Sequence, residues 1–144
     1  WYVCPMNDLQ TKELILDKDI VVYRLRATSF PEGVGAAHMK LHSFVEFDTS
    51  RQYFGISHPE NSGAIAYWAA ATEIIPEELS RNGLEKFIIE AGLYKYLDVH
   101  LFMVNISDIG HAFKILTALP DLKPDGYCLE WYNGKDCRCM IRIQ

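Results

Sequence analysis

What the chain lacks narrows its chemistry first. It has no basic block: 14 Lys and Arg are scattered among 19 Asp and Glu, for a net charge of −5. Phosphate backbones are held by clustered cations, so no nucleic-acid surface is expected. No apolar stretch approaches the roughly 20 residues that span a bilayer, and no basic segment leads into an apolar signal core. No membrane contact is therefore expected, and a cytoplasmic location is the default. Cysteine is scarce at 4 residues, with no Cys-x-x-Cys pair, and the spacing of Cys128, Cys137 and Cys139 fits no common zinc module. Plain reduced thiols are expected over a soft-metal site, with a Cys128–Cys139 cross-strand disulfide open under oxidation. A Ser-His-Asp order, a Gly-rich phosphate loop and a metal triad are also missing, so no cofactor is expected. The chain starts at Trp1 instead of Met, as a trimmed longer chain would.

What is present suits one ordinary globular domain of 144 residues, 49% hydrophobic and 23% charged. Residues 1–19 read as a lead-in with a short strand near Leu14 to Leu16. Ile20 to Ala27 (IVVYRLRA) is β-branched and then alternates, as a half-exposed strand does. Thr28 or Ser29 is placed to cap a helix over Pro31 to Val45, on which Val34, Ala37, His38, Leu41 and Val45 recur at helical spacing. Gly33 and Gly35 disfavour its start by about 1 kcal/mol each relative to Ala, so a late beginning is expected. Gln52 to Ser57 reads as a strand, His58 to Gly63 as a turn, and Ala64 to Ile75 as the hairpin partner. After a polar connector, Glu77 to Gly83, strands are expected at Leu84 to Ile89 and Leu93 to Val99. Ile106, Ile109, Phe113 and Leu116 mark one face of a second helix, with Asn105 or Ser107 as cap and Pro120 beyond its end.

The halves repeat, about 20–75 and 84–143, as strand, helix and two-stranded hairpin. At a shift of 74 residues, Tyr53 to Ile56 take the place of Tyr127 to Glu130. A duplicated strand-helix-strand-strand unit predicts an α+β domain over 20–144, with antiparallel strands packed on two helices and a central ligand cleft where the halves meet.

The closing hairpin, Tyr127 to Ile143, carries the chemistry. Asn133-Gly134 is a strong turn signal. Taken as a two-residue loop, it sets Tyr132 opposite Lys135, Glu130 opposite Cys137 and Cys128 opposite Cys139, with 128, 130 and 132 on one face. A carboxylate buried among rings and thiols loses solvation, and a ligand cation restores its charged form by pairing. The plainer alternative is a strand glutamate facing solvent or paired with Arg138 or Arg142.

Three patches resemble a known family. Phe54-Gly55-Ile56 followed by Tyr67 resembles the first hairpin of the GyrI-like small-molecule-binding domains, which also act as effector-binding domains of AraC-type and MerR-type multidrug-sensing activators. Ile89 to Tyr94 (IEAGLY) resembles their "ipaGkY" strand start, and Glu130-Trp131-Tyr132 their "E-x-Y". Together the patches cover about residues 20–143 in order. The resemblance implies an aromatic-lined pocket with the acid matching Glu130 at its base, attracting cationic lipophilic ligands. The candidate site residues are then Glu130 and Tyr132, Tyr67 and Tyr94 by motif position, and Trp68, Tyr96 and Trp131 as further strand aromatics. Aromatic residues in strands also simply fill cores. No helix-turn-helix is attached, which suggests a stand-alone binder of a small molecule. Two other roles stay open: hydrolysis of electrophilic lipophilic compounds by Glu130 and a tyrosine, as in some relatives, and a protein partner or homodimer, as in gyrase-inhibitory ones.

Overall fold

The computed structural model describes residues 11–144; the part of the expected lead-in at 1–10, with Cys4, lies outside them. The described residues form eight strands and two helices: β1 (Lys12–Leu16), β2 (Ile20–Arg26), α1 (Val34–Phe44), β3 (Tyr53–Pro59), β4 (Ile65–Ala71), β5 (Glu85–Ile89), β6 (Gly92–Val99), α2 (Ile106–Leu116), β7 (Cys128–Asn133) and β8 (Asp136–Arg142). The strand-helix-strand-strand order occurs twice, as β2-α1-β3-β4 and β6-α2-β7-β8. This is the α+β fold expected from the internal repeat. Among the described residues no helix is long and apolar enough to cross a membrane.

One compact unit comprises residues 17–91. Its strands run in the order β5-β2-β4-β3, all antiparallel. Alternation gives β2 two different faces. Val22, Arg24 and Arg26 lie on one with Phe54, Ile56, Trp68 and Phe87, while Tyr23 and Leu25 lie on the other with Tyr53 and Tyr67. Helix α1 packs on the second of these faces, where Ala37 and Leu41 are buried and His38 meets the Tyr67 hydroxyl at 2.8 Å. The helix does begin late. Its cap is Gly33 and no side chain caps it, so neither Thr28 nor Ser29 serves as expected. Contact explains the glycine: a Cβ at Gly33 would lie 2.9 Å from both the backbone N and O of Ser29. Gly35 has open space around it. Gly33→Ala is therefore expected to lower stability by about 1–3 kcal/mol, whereas Gly35→Ala should raise it by up to about 1 kcal/mol through helix propensity. Urea midpoints of the two variants should shift in opposite directions.

Strand β3 continues through His58 and Pro59, which the sequence reading assigned to the turn, because proline is acceptable at a strand end where no ladder donor is needed. Strand β4 stops at Ala71, short of Ile75. Beyond it, two carboxylates replace the ladder. Glu73 accepts from the backbone N–H groups of Glu77, Leu79 and Ser80, and Glu78 accepts from Ile74, Ile75 and the Arg51 guanidinium.

The second unit combines residues 92–144 with β1, and its strands run β1-β6-β8-β7, again antiparallel. The order repeats that of the first unit, with β1 beside β6 as β5 is beside β2. Helix α2 buries Ala112 and Leu116 against Leu97, Val99, Cys137, Cys139 and Ile141. Asn105 occupies its cap position without capping; its amide donates backwards to the carbonyls of His100 and Leu101. The helix ends at Leu116, before Pro120 is reached.

Candidate functional site

The closing hairpin forms, with a loop one residue later than the turn signal indicated. Asn133 pairs with Asp136, so Gly134-Lys135 is the two-residue loop. Gly134 has φ +62° and Lys135 is not left-handed, the pattern of a type II′ turn, which wants glycine first. Glu130 consequently faces Cys139, Tyr132 faces Cys137, and Cys128 faces Ile141. Each partner moves by two residues, so the face is unchanged: 128, 130 and 132 still share it with 137, 139 and 141. It is the face on which α2 packs.

Parity also corrects the equivalence with Ile56. Ile56 lies on the face of its own sheet away from α1, whereas Glu130 lies on the α2 face. A shift that sets helix-covered positions on helix-covered positions must be odd, so 74 residues cannot align the two strands face to face.

Glu130 is 9% exposed and lies across the ladder from Cys139. Its Oε1 accepts a hydrogen bond from the Tyr132 hydroxyl. The Tyr132 ring packs on Phe102, with centroids 5.3 Å apart at 36°. A hydrogen bond with Cys139, burial, and the charges of Cys139, Glu130 and Asp98 push the Cys137 thiol far above its ordinary range. It therefore stays protonated, unsuited to nucleophilic attack or metal ligation. Cys128, Cys137 and Cys139 are all free thiols. Among the described residues no group of three His, Cys, Asp or Glu side chains comes together as a metal site.

Phe102 belongs to an exposed apolar loop between β6 and α2. Leu101, Met103 and Val104 are 51%, 75% and 78% exposed. The loop is pinned to the hairpin turn: Leu101 N donates to Asp136 Oδ1 at 3.1 Å, and Phe102 N to the Lys135 carbonyl at 3.0 Å. Leu101 itself has φ +48°, a conformation a leucine adopts only when its surroundings impose it. Four successive apolar residues, LFMV, between a strand and a helix cap were the available signal.

The other expected site residues lie elsewhere. Tyr94, Tyr96 and Trp131 share the opposite face of the β1-β6-β8-β7 sheet. Tyr94 is fully buried, with its hydroxyl 2.8 Å from that of Tyr127. Arg138 sits over Tyr96 at 4.0 Å, held by Asp98 at 2.9 Å, and Arg142 lies 5.8 Å from the Tyr94 ring. In the 17–91 unit, Tyr67 is buried under α1 against His38 and Phe30. Burial, reinforced by the charge of His42, lowers the His38 pKa to about 4. Trp68 is on the reverse face of that sheet, 4.0 Å from the Arg24 guanidinium and 5.4 Å from that of Arg26. Thus Glu130 and Tyr132 come together, while three of the remaining rings are already faced by the chain's own arginines.

No protein-family model and no curated protein sequence matches the chain. Solved structures do resemble it. An integron cassette protein from the mobile metagenome of Vibrio cholerae superposes with a TM-score of 0.69 at 15% identity, covering 94% of this chain and 96% of that one. A hydrolase from Listeria innocua gives 0.53 at 9% identity, covering 98% and 94%. At these identities the likeness is one of fold.

Proposed function

We propose that the chain binds a small lipophilic cation, with Glu130 as its charge partner and Tyr132 and Phe102 as flanking rings. The observation that carries this reading is a carboxylate only 9% exposed whose hydrogen-bond partner, Tyr132, packs on Phe102 of an exposed apolar loop. A ligand cation set against a carboxylate so little exposed gains more than one paired in open water, where solvent screens the charge. A ring beside the cation adds about 0.5–2 kcal/mol. The apolar part of the ligand would rest on Leu101, Met103 and Val104, whose exposure otherwise has a solvation cost. Trp68, Tyr96 and Tyr94 are weaker candidates than the sequence suggested, because a ligand cation there would compete with arginines already in position.

Calorimetric titration with tetraphenylphosphonium and with neutral triphenylphosphine oxide tests the reading. The cation should bind about tenfold tighter or better, and mass spectrometry should recover it unaltered. Equal affinity for the two compounds would remove the electrostatic component.

The Tyr132–Glu130 hydrogen bond favours one second reading, in which the pair acts as general acid and base in hydrolysis of a lipophilic electrophile. Turnover of a naphthyl ester that Tyr132→Phe abolishes would support it over simple binding.

A further inference from the structure

The 17–91 unit contains a second concavity of different character. Strand β5 begins at Glu85, opposite Arg24, while β2 continues to Arg26 along β4. Just before β5 the chain passes through a short helical turn, Ser80–Asn82, and Gly83, whose φ is +84°. The space left between that turn, the end of β2 and the last residues of α1 is a groove of about 460 Å³. That size falls among small-molecule sites, roughly 300–1,000 Å³.

Its lining has a distinct charge. Arg24, Arg26 and Lys40 are among its lining residues, with Glu85 as the one carboxylate, in a chain whose net charge is −5. Arg24 is rigidly presented: its guanidinium lies between the Trp68 and Phe87 rings, at 4.0 and 4.5 Å, and Glu85 Oε1 holds its Nε at 2.6 Å. Its Nη1 makes no hydrogen bond among the described residues. Arg26 pairs with Glu60 at 3.0 Å across a solvent-exposed rim, an arrangement that holds weakly. The Lys40 ammonium has no carboxylate partner among the described residues. Phe44 and Leu84 supply apolar wall.

We infer that this groove binds a small amphipathic oxyanion, its carboxylate or phosphate held by Arg24, Arg26 and Lys40 and its apolar body resting on Phe44 and Leu84. Fixed guanidinium forks match planar oxyanions, and the exposed lysine adds charge without geometric demand. The ligand charge is opposite to that proposed at Glu130, so the two sites are independent and each survives failure of the other.

The test uses 2-naphthoate, neutral 2-naphthalenemethanol and inorganic phosphate, titrated into the ¹⁵N-labelled chain. Naphthoate should shift amides at Leu25, Arg26, Lys40 and residues 82–85, and should bind more tightly than either comparison compound. The double variant Arg26→Gln, Lys40→Gln alters only exposed side chains and should weaken naphthoate about tenfold or more. Equal binding of the neutral alcohol, shifts confined to other residues, or unchanged affinity in the double variant would each overturn the assignment. Phosphate binding as tightly as naphthoate would overturn the role of the apolar wall.

Discussion

Glu78→Ala should destabilise the fold by about 3–5 kcal/mol, the usual consequence of stranding one member of a buried ion pair. Arg51 is 6% exposed, and its Nη1 reaches Glu78 Oε1 at 2.5 Å and the Thr72 carbonyl at 2.8 Å. The same carboxylate receives the backbone N–H groups of Ile74 at 2.6 Å and Ile75 at 3.2 Å. The hydrogen bond from Arg51, with those backbone donors, outweighs desolvation and holds Glu78 at a pKa of about 2. Removing it leaves a guanidinium without its counter-charge and two amides without an acceptor. Glu78→Gln, which keeps an acceptor, should cost clearly less. Urea unfolding measures both; a loss below about 1 kcal/mol for Glu78→Ala would mean that water reaches Arg51 freely. Because this pair ties down the segment that leads to residues 82–85, the variant should also weaken oxyanion binding in the proposed groove.

The second large effect is a loss of stability in mild acid. His38 titrates near 4 in the folded chain, because burial and the neighbouring His42 disfavour its charge, against an unfolded value of 6.5. As pH falls through 6.5 the unfolded chain takes up the proton and the folded chain does not. Stability from this group is therefore complete above 6.5, declines below it, and levels off once the folded histidine protonates near 4. Spread over that window the loss amounts to about 3 kcal/mol. His42, lowered in pKa by burial and by Arg51, acts in the same direction. Glu78 and the other depressed carboxylates act lower, below their ordinary range. Urea midpoints at pH 7 and pH 4.5 should thus differ strongly in the parent chain and much less in His38→Gln, which can still bond the Tyr67 hydroxyl. An equal difference in both chains would assign the acid sensitivity to other groups.

The fold was legible because its signals are local and redundant. Alternation in IVVYRLRA, the Ile106-Ile109-Phe113-Leu116 stripe and the repeated element order each reported something that a single strand or helix decides alone. The same period of two placed Glu130, Tyr132 and the thiols on one face even though the loop was misplaced, since a slip that moves each partner by two residues leaves the faces alone. The failures concern contacts set by tertiary packing. Gly33 looked like a defect in a helix and is a close approach to Ser29. The Glu73 and Glu78 carboxylates looked like parts of a solvated connector and instead organise its backbone. The arginines over Trp68 and Tyr96 had no sequence signature linking them to those rings, because each contact depends on strand pairing across the sheet. Their presence divides the expected aromatic set and leaves Tyr132 as the ring in contact with the acid.

On the proposed reading, the Glu130 carboxylate receives the ligand's charge. The most direct test is the affinity of Glu130→Gln for tetraphenylphosphonium, measured beside the parent chain with circular dichroism to establish that the fold is kept. Gln preserves the shape and an acceptor for the Tyr132 hydroxyl while removing the charge. A folded variant that binds at least about tenfold more weakly, a loss of roughly 1.4 kcal/mol or more, is expected. A folded variant with undiminished affinity would contradict the reading.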